Sequence, residues 1–306
     1  DKCNASIVLR WNEYRNMTDG LQEYQIYMSQ NNGPYNIIGT VPANTYIFEH
    51  TGIKKDSSYC YYVSAVSNTN SRRASSNLRC RVADVLVMPE FHYLKRVTVD
   101  QPGQVLIESY VDTAADVSRY ELLRSDNGGT SYTVIAQQLF AGQTEISFID
   151  NTAQTDGLSH LYKVVDVSTC NKPVFESNIG QTILLKTTPF ENLVNKLEWN
   201  AYIDWSGGVL QYNIYRYYNG IWSAAPIATV PASSLSYFDN ISSFIDGTGE
   251  FCYLVEAVEG LGNIYNYQMK SESNEHCAVQ EPHLYLPNAF TPDGLNPIFK
   301  PYMIYY

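Results

Sequence analysis

The chain has 306 residues, and its 31 acidic against 20 Lys and Arg side chains give a formal net charge of −11. Such an acidic balance argues against nucleic acid and anionic membranes as partners, because both are bound mainly through basic patches. No apolar run approaches the roughly 20 residues of a membrane-spanning helix, and low-complexity sequence is absent.

The first residues of the chain alternate as strands do. Ile7, Leu9 and Trp11 fall on one face of a predicted strand, and residues 23–27 repeat the pattern. Between strands lie turn signals rich in Gly and Asn, such as residues 30–34. No stretch shows a sustained helical period, so the sequence predicts an all-β protein.

The same landmarks recur three times along the chain. Trp11 precedes Tyr24 by 13 residues, and Trp199 precedes Tyr212 by the same step. A middle copy keeps the step, with Ile107 where the Trp would be. Each copy closes with a Ser-Asn pair: Ser76-Asn77, Ser177-Asn178 and Ser273-Asn274. The spacing of roughly 90 to 100 residues is the size of one β-sandwich module.

Module boundaries follow from the repeat and from prolines, which punctuate strands because they cannot donate to a sheet. The prediction is three Ig-like sandwiches in a rod, at 1–88, 89–187 and 188–281, with the start of a further β-domain at 282–306. The first copy lacks the strand-like lead-in that precedes the second. We therefore expect Asp1 to be an internal start.

Cysteine positions indicate the compartment. Cys60 and Cys80 flank the last strands of the first copy, and Cys252 and Cys277 occupy matching places in the third. Both cysteines are lost together in the middle copy, as expected for bonded partners. The sequence predicts disulfides Cys60–Cys80 and Cys252–Cys277, with buried free thiols as the alternative. Paired disulfides indicate an extracellular or outer-surface location.

Two cysteines, Cys3 and Cys170, are left over. They lie at non-equivalent places in different copies, so pairing with each other is not predicted. Their pairing stays open, with a partner in an upstream module as one alternative for Cys3 and a free thiol for Cys170.

The repeats resemble a known family of sandwich modules. An early Trp, a Tyr-x-Ile-Tyr strand and a late Tyr before the Ser-Asn pair are similar to fibronectin type III modules, over about residues 1–281. Residues 199–216 are especially similar to repeats in large surface proteins of gliding Bacteroidota. The resemblance implies a sandwich fold, with Trp11 and Trp199 in the cores.

The tail carries a second resemblance. Residues 286–299 read Leu-Pro-Asn-Ala-Phe-Thr-Pro-Asp-Gly-Leu-Asn-Pro-Ile-Phe, similar to the opening of the gliding-motility-associated C-terminal domain, the type B sorting signal of type IX secretion. Seven positions match: Pro287, Asn288, Phe290, Pro292, Gly294, Asn296 and Phe299. An Asn-Gly pair is missing before Asp293, and Pro297 replaces an Asp. The resemblance implies the type IX secretion and attachment machinery as partner.

The residues after this motif are strand-like. Residues 298–306 are predicted to form an apolar strand without a partner inside the chain. An unpaired edge is a liability, so we expect it to pair with residues beyond Tyr306 or with an export partner.

Motifs of the common enzyme classes are absent. The sequence has no His-x-x-x-His, Cys-x-x-Cys, Gly-x-Ser-x-Gly, P-loop or dinucleotide pattern. Scattered histidines are expected at the surface or at strand edges, and Glu256 and Glu259 on a solvated sheet face. The sequence therefore predicts no enzyme, no metal site and no cofactor.

Calcium is the one ion that the sequence raises. Asp239, Asp246 and Glu250 could offer oxygen ligands, but hard cations need six to eight of them. The loop lacks the dense Asp/Asn alternation of a dedicated site. A turn is therefore the favoured interpretation.

Aromatic residues offer an alternative binding function. The third copy clusters Tyr202, Trp205, Tyr217, Tyr218 and Trp222. Stacked aromatics can hold glycans or proteins, but they are equally strand formers, and the structural interpretation is favoured. If this copy binds a ligand, Tyr218 and Trp222 are the predicted contacts.

The functional prediction is a non-enzymatic, secreted or cell-surface segment, serving as an adhesin stalk or structural element. Two alternatives stay open: a glycan- or protein-binding third copy, and a filament joined through the C-terminal strand. Ligand and oligomeric state are not predicted.

Overall fold

A computed structural model describes residues 1–69, 71–244 and 249–280, together with strands Pro282–Tyr285 and Tyr302–Tyr305. Apart from one short 3-10 helix, Lys2–Asn4, the regular structure described is β-strand. No helix in these residues is long and apolar enough to cross a membrane. The chain divides into two compact units, Asp1–Met88 and Pro89–Tyr306, and this division falls at the first predicted boundary.

The first unit is one module with two sheets. Its strands are β1 (Ser6–Arg10), β2 (Leu21–Gln30), β3 (Asn36–Pro42), β4 (Ile47–Thr51), β5 (Ser58–Ser67), β6 (Arg73–Ser75) and β7 (Arg79–Val82). One sheet is the antiparallel pair β1-β4. The other has the order β3-β2-β5, with β6 and β7 both on the far side of β5.

The second module opens the second unit and has one strand more. Its strands are β8 (His92–Gln101), β9 (Gln104–Val111), β10 (Val117–Ser125), β11 (Thr133–Leu139), β12 (Glu145–Asp150), β13 (Leu161–Ser168), β14 (Pro173–Glu176) and β15 (Gly180–Gln181). One sheet has the order β12-β9-β8, and the other β11-β10-β13 with β14 and β15 on β13. The added strand is β8, which pairs with β9.

The third module repeats the second. Its strands are β16 (Leu185–Phe190), β17 (Val194–Trp199), β18 (Val209–Tyr218), β19 (Ile221–Trp222), β20 (Ala228–Pro231), β21 (Ser236–Asn240), β22 (Glu250–Glu259), β23 (Lys270–Glu272) and β24 (His276–Val279). The sheets are β16-β17-β21 and β18-β22, flanked by β19 and β20 on β18 and by β23 and β24 on β22. Three strands facing a larger sheet make a β-sandwich.

The predicted boundary between the second and third modules lies too late. Residue 188 falls inside β16, which pairs with β17 along its whole length. The signal used was Pro189, but β16 is an edge strand, where a proline can sit without breaking the ladder.

The C-terminal strand has a partner inside the chain, contrary to prediction. Strand β25 (Pro282–Tyr285) pairs antiparallel with β26 (Tyr302–Tyr305). The sequence showed the strand pattern of the tail but not the segment that it pairs with.

Register also corrects the place of Ile107. Ile107 lies opposite Phe148, as Leu9 lies opposite Phe48 in the first module. The position of the tryptophan is therefore taken by Ser109. In the second module the ring that packs edge-on against the matching tyrosine, Tyr120, is that of His92, with centroids 5.7 Å apart.

Candidate functional site: the junction of the second and third modules

Strand β8 belongs to the second module but also contacts the third. Three segments of the third module reach it: the loop 200–208, the loop 260–269 and β23. This contact, here called the junction, joins residues more than 100 positions apart in sequence and lies within the second compact unit.

Side chains of the third module bind the backbone of β8. The Trp205 indole Nε1 donates to the carbonyl of Lys95 at 2.6 Å, and the Val97 amide donates to the Tyr202 hydroxyl at 2.9 Å. Ser271 Oγ donates to the carbonyl of Val97 at 2.7 Å. Trp205 and Tyr202 are both buried. The sequence indicated a structural Trp205 but not that its partner lies in the neighbouring module.

A buried carboxylate lies at the centre of the junction. Glu259 is fully buried, and its Oε1 accepts from the Tyr93 hydroxyl at 3.0 Å and from Asn263 Nδ2 at 2.6 Å. The Gly207 amide donates to the same oxygen, and the Met269 amide donates to Oε2. The prediction of a solvated Glu259 is therefore wrong. Burial raises the pKa of the Tyr93 hydroxyl, and the Glu259 charge adds to the rise.

An ion pair lies at the side of the junction. Lys95 is 4% exposed. Its Nζ atom lies 2.9 Å from Glu145 Oε2 and is positioned over the Tyr267 ring. Tyr267 donates its hydroxyl to Glu145 Oε1 at 2.9 Å. The hydrogen bond from Lys95 lowers the pKa of Glu145, and burial with Glu145 raises the pKa of Tyr267 to about 12.

Aromatic rings surround these polar contacts. Tyr265 of the third module stacks on Tyr93 at 4.8 Å and packs against Phe91 and Tyr110 of the second at 5.5 and 5.7 Å. Such offset and edge-on pairs each add about 0.5–1.5 kcal/mol beyond buried area. The junction therefore fixes two modules by directional contacts rather than by apolar area alone.

This chemistry holds and orients but shows no feature of a reaction centre. Glu259 is occupied by four donors, so no oxygen is aimed into open space. A shallow groove of about 380 Å³ beside it is lined by residues of both modules, among them Phe91 and Asp204.

Both disulfides predicted from the sequence are present. Cys60 and Cys80 are bonded across β5 and β7, and Cys252 and Cys277 across β22 and β24. The alternative of a free Cys170 is wrong, because no cysteine is free and both Cys3 and Cys170 are disulfide-bonded.

The two predicted ligand contacts do not lie together. In the β18–β19 hairpin Tyr218 lies opposite Ile221, and Trp222 lies opposite Tyr217. Tyr218 and Trp222 therefore point to opposite faces. Tyr218 stacks on Phe251 at 4.7 Å and packs on the core, whereas Trp222 is 36% exposed. A single aromatic platform from this pair is excluded.

The oxygens considered for calcium have other partners. Both Asp239 oxygens bind Arg216, and one also accepts from the Tyr253 hydroxyl. Asp246 lies outside the described residues. Glu250 lies near Cys252 and Cys277, whose sulfurs are consumed by their disulfide.

Two histidines and a glutamate are buried, contrary to prediction. His92 and His160 are 4% and 1% exposed, and their Nδ1 atoms lie 2.5 and 2.6 Å from the carboxylates of Asp166 and Asp126. Glu256, expected on a solvated face, is 6% exposed and accepts hydrogen bonds from Asn213 and Lys270. Alternation shows the face of a strand but not what covers it.

The predicted sorting motif, Pro287, Asn288, Phe290, Pro292, Gly294, Asn296 and Phe299, lies outside the described residues.

Comparison with known proteins gives one reported similarity, to a solved structure. No family model and no curated protein matches the sequence. Among solved structures, the crystal structure of chicken CNTN1 FN1-FN3 domains is 10% identical, covers 91% of this chain and 95% of that chain, and has a TM-score of 0.27. At so low a score the sandwich assignment rests on strand pairing. The described residues form an all-β chain of two-sheet sandwiches, as predicted.

Proposed function

We propose that this chain is a non-enzymatic spacer of a secreted or cell-surface protein, in which the second and third modules act as one stiff element. The observation that carries the proposal is the buried Tyr93–Glu259–Asn263 network, which bridges the two modules with side chains that are already fully engaged. Buried polar networks specify one arrangement when every member is satisfied. A flexible connection would leave Glu259 without its Tyr93 partner.

The disulfides support a location outside the cytosol. Bonds between neighbouring strands persist in oxidising surroundings and are rare in the cytosol. An adhesin stalk or structural segment outside the cell is the role that combines a fixed junction with this redox setting.

Stiffness of the junction is testable by residual dipolar couplings. The second and third modules should share one alignment tensor in the native protein. Trp205→Ala, which removes the bond to the Lys95 carbonyl, should give each module its own tensor. Trp222→Ala serves as the matched control, because Trp222 lies outside the junction and is partly exposed. Independent tensors in the native protein would overturn the proposal.

A milder variant separates folding from stiffness. Tyr93→Phe keeps the ring that stacks on Tyr265 and removes only the hydroxyl shared by Glu259 and Asn263. We expect a folded protein in which the third module has a reduced order parameter relative to the second. A tensor unchanged in both Tyr93→Phe and Trp205→Ala would show that this network does not set the junction.

We also propose export by the type IX system and contact with its attachment machinery. The support is the sequence of residues 286–299 together with the disulfide-bonded fold. Removal of residues 282–306 in a type IX-competent host should leave the protein inside the cell envelope. Unchanged surface display of the shortened chain would contradict this export route.

A further inference from the structure

The groove beside the junction, here called the junction groove, carries charge of one sign. Three carboxylates line it, those of Glu90, Glu176 and Asp204, and none of its described lining residues is Lys or Arg. Glu176 is paired with Lys163 at 2.7 Å. The side chains of Glu90 and Asp204 are exposed and make no hydrogen bond among the described residues. The groove is therefore an acidic surface with two carboxylates that have no cation of their own.

Apolar side chains form the rest of the lining. Phe91 of the second module and Tyr265 of the third lie with ring centroids 5.5 Å apart, and Phe175 comes from β14. These three rings are partly buried, whereas Ile264 beside them is 74% exposed. A cation placed between ring faces and carboxylates is attracted by both. The lining therefore favours an organic cation over an anion or a purely apolar ligand.

His92, which also lines the groove, has one ring nitrogen without a partner. Its Nδ1 lies 2.5 Å from a carboxylate oxygen of Asp166, and the two side chains are 0% and 1% exposed. Because an ionised carboxylate can only accept, Nδ1 of the neutral ring carries the proton, and Nε2 is an acceptor. Nε2 is buried and has no hydrogen-bond partner among the described residues. Buried acceptors are rarely left in this way, so Nε2 points to a donor that the ligand supplies.

The third module shows that the sandwich does not need a histidine at this position. The asparagine of the closing Ser-Asn pair binds the backbone of Leu94 in the second module and that of Leu185 in the third, which aligns the two strands. Two residues before them lie His92 and Ile183. Ile183 is 0% exposed, so an apolar side chain fills the same place in the third module.

The partner of the histidine is also specific to the second module. The serine of each closing pair accepts from the amide of Val164 or Val255, so these two residues are equivalent. Two residues after them lie Asp166 and Ala257, and Ala257 is 0% exposed. Burying two ionisable groups costs desolvation even when they are paired. Since the third module packs the same place with apolar residues, the His92–Asp166 pair has a reason other than packing.

The chemistry of the lining selects a guanidinium group. A guanidinium is planar, stacks on aromatic rings and presents five N–H donors in a fixed fork, so one group can reach both a ring nitrogen and a carboxylate. An ammonium group is a compact point charge that gains less from flat ring faces. Free arginine would bring its α-carboxylate towards the acidic rim, whereas an arginine inside a polypeptide has no such group. The lining therefore suits an arginine side chain of a protein.

The second compact unit does not supply this arginine itself. The residues outside the described ranges contain no arginine. The four arginines of the unit each form an ion pair within their own module: Arg96, Arg119, Arg124 and Arg216. With a net charge of −11, the chain attracts basic partners.

We propose that the junction groove binds the guanidinium of an arginine side chain on a separate protein. One N–H donates to His92 Nε2, and the charge is balanced by Glu90 and Asp204. Asp166 is a positioning residue, because its bond to Nδ1 leaves Nε2 as the acceptor. A spacer does not require such a site, so this inference goes beyond the proposed function.

Peptides that differ in one side chain test the ligand class. The probes are Gly-Ser-Arg-Ser-Gly with blocked ends and the same peptide with citrulline, which keeps the shape of arginine but has no charge. In NMR titrations of the whole protein, the arginine peptide should give saturable shifts of the Phe91 and Phe175 rings. The citrulline peptide should bind at least roughly fivefold more weakly. Equal affinities, or no saturable shift with the arginine peptide, would overturn the proposal.

Variants of the rim test the charges. Glu90→Gln and Asp204→Asn should each weaken the arginine peptide roughly two- to fivefold and leave the citrulline peptide unchanged. Asn is suited to position 204, where φ is 62°, because Asn adopts this left-handed conformation readily. Glu191→Gln is the matched control, an exposed carboxylate that does not line the groove. The same loss in Glu191→Gln would show that only net charge matters and would contradict a site.

The histidine is tested by a spectrum and by a double variant. The ¹⁵N resonance of His92 Nε2 should shift with the arginine peptide. His160 is the internal control, because it has the same bond from Nδ1 to a carboxylate and an unpartnered Nε2 but does not line the groove. His92→Ile with Asp166→Ala installs the residues of the third module, Ile183 and Ala257, and should leave a folded protein that binds at least roughly fivefold more weakly. Unchanged affinity in this variant would remove His92 from the site.

Sedimentation of the native protein tests the source of the arginine. A separate partner predicts no self-association that depends on the groove. If the protein self-associates and Glu90→Gln with Asp204→Asn abolishes this, the occupant is a second copy, and the assignment to another protein is wrong. The spacer proposal fails on a different result, independent alignment tensors of the two modules, so the two failures are distinguishable.

Discussion

The first and third modules carry the same landmarks, yet among the described residues only the third has an added strand, β16, beside the strand that leads to its tryptophan. Both keep a tryptophan edge-on to a tyrosine at 5.5 Å, a disulfide behind the last strands and a closing Ser-Asn pair. Strand β16 buries Trp199 to 6% exposure, whereas Trp11 is only partly buried. Within the described residues, the presence of β16 is therefore what distinguishes the surroundings of Trp199 from those of Trp11.

The tryptophans should show the largest difference. Trp199→Ala should lower the free energy of unfolding of the third module by about 3–5 kcal/mol, because it leaves a cavity in a closed core. Trp11→Ala should cost less, roughly 1–2 kcal/mol, because the Trp11 ring is only partly buried. Urea denaturation followed by circular dichroism measures both, with Trp222→Ala as an exposed control. Equal losses of unfolding free energy in Trp199→Ala and Trp11→Ala would contradict the expected difference between the two modules.

Disulfides should give no such difference. Cys60–Cys80 and Cys252–Cys277 span 20 and 25 residues, so the loop-entropy model assigns each about 3 kcal/mol. The double variants Cys60→Ser/Cys80→Ser and Cys252→Ser/Cys277→Ser should lower thermal midpoints of their own modules to similar extents. A much larger loss in one module would extend the difference beyond the edge strand.

The asparagines of the closing Ser-Asn pairs should show the next largest difference in stability. Asn274→Ala leaves the buried amide and carbonyl of Leu185 unpaired, which costs about 1–3 kcal/mol. Asn77→Ala removes an exposed side chain and should change stability by less than about 0.5 kcal/mol. Denaturant midpoints of the two variants measure the contrast. A large loss of stability in Asn77→Ala would mean that Asn77 has hydrogen-bond partners like those of Asn274.

Local sequence signals were sufficient to predict the strands, the three repeats and the two disulfides. The loss of both cysteines together in the middle copy predicted the Cys60–Cys80 and Cys252–Cys277 bonds. Each of these bonds joins neighbouring strands of one sheet. Period-two alternation located the strands because the pleat is a local property. The same signal could not place Ile107, because register depends on the partner strand.

Contacts between distant residues were beyond the sequence. Tyr93 and Glu259 are 166 positions apart, and no pattern in either strand shows that they meet. Glu259 was predicted to be solvated for that reason. The exposure of Asn77, in contrast to the hydrogen-bonded Asn274, could not be predicted either, since the Ser-Asn pair itself is identical in all three copies.

The smallest expected effect is a change of stability with pH, and it concerns His50 on β4 and its counterpart on β12. His50 in the first module and Asp150 in the second lie at matching places, each beside a tyrosine hydroxyl at 2.8 Å. Burial lowers the pKa of His50 below its usual 6.5. For Asp150 burial acts in the opposite direction, but hydrogen bonds from Arg124 and Thr152 prevail and lower the pKa below 3.8.

The sign of each contribution follows from linkage. As pH falls below about 6.5, the unfolded chain binds a proton at His50 before the folded chain does, so the first module loses stability. Asp150 stabilises above pH 3.8, and its contribution is lost only as pH falls through its lower folded pKa. Calorimetry between pH 7.5 and 5.5 should therefore lower the midpoint of the first module. His50 is the only histidine of residues 1–88, so His50→Gln should remove this pH dependence. A midpoint equally sensitive to pH in His50→Gln would place the effect elsewhere in the module.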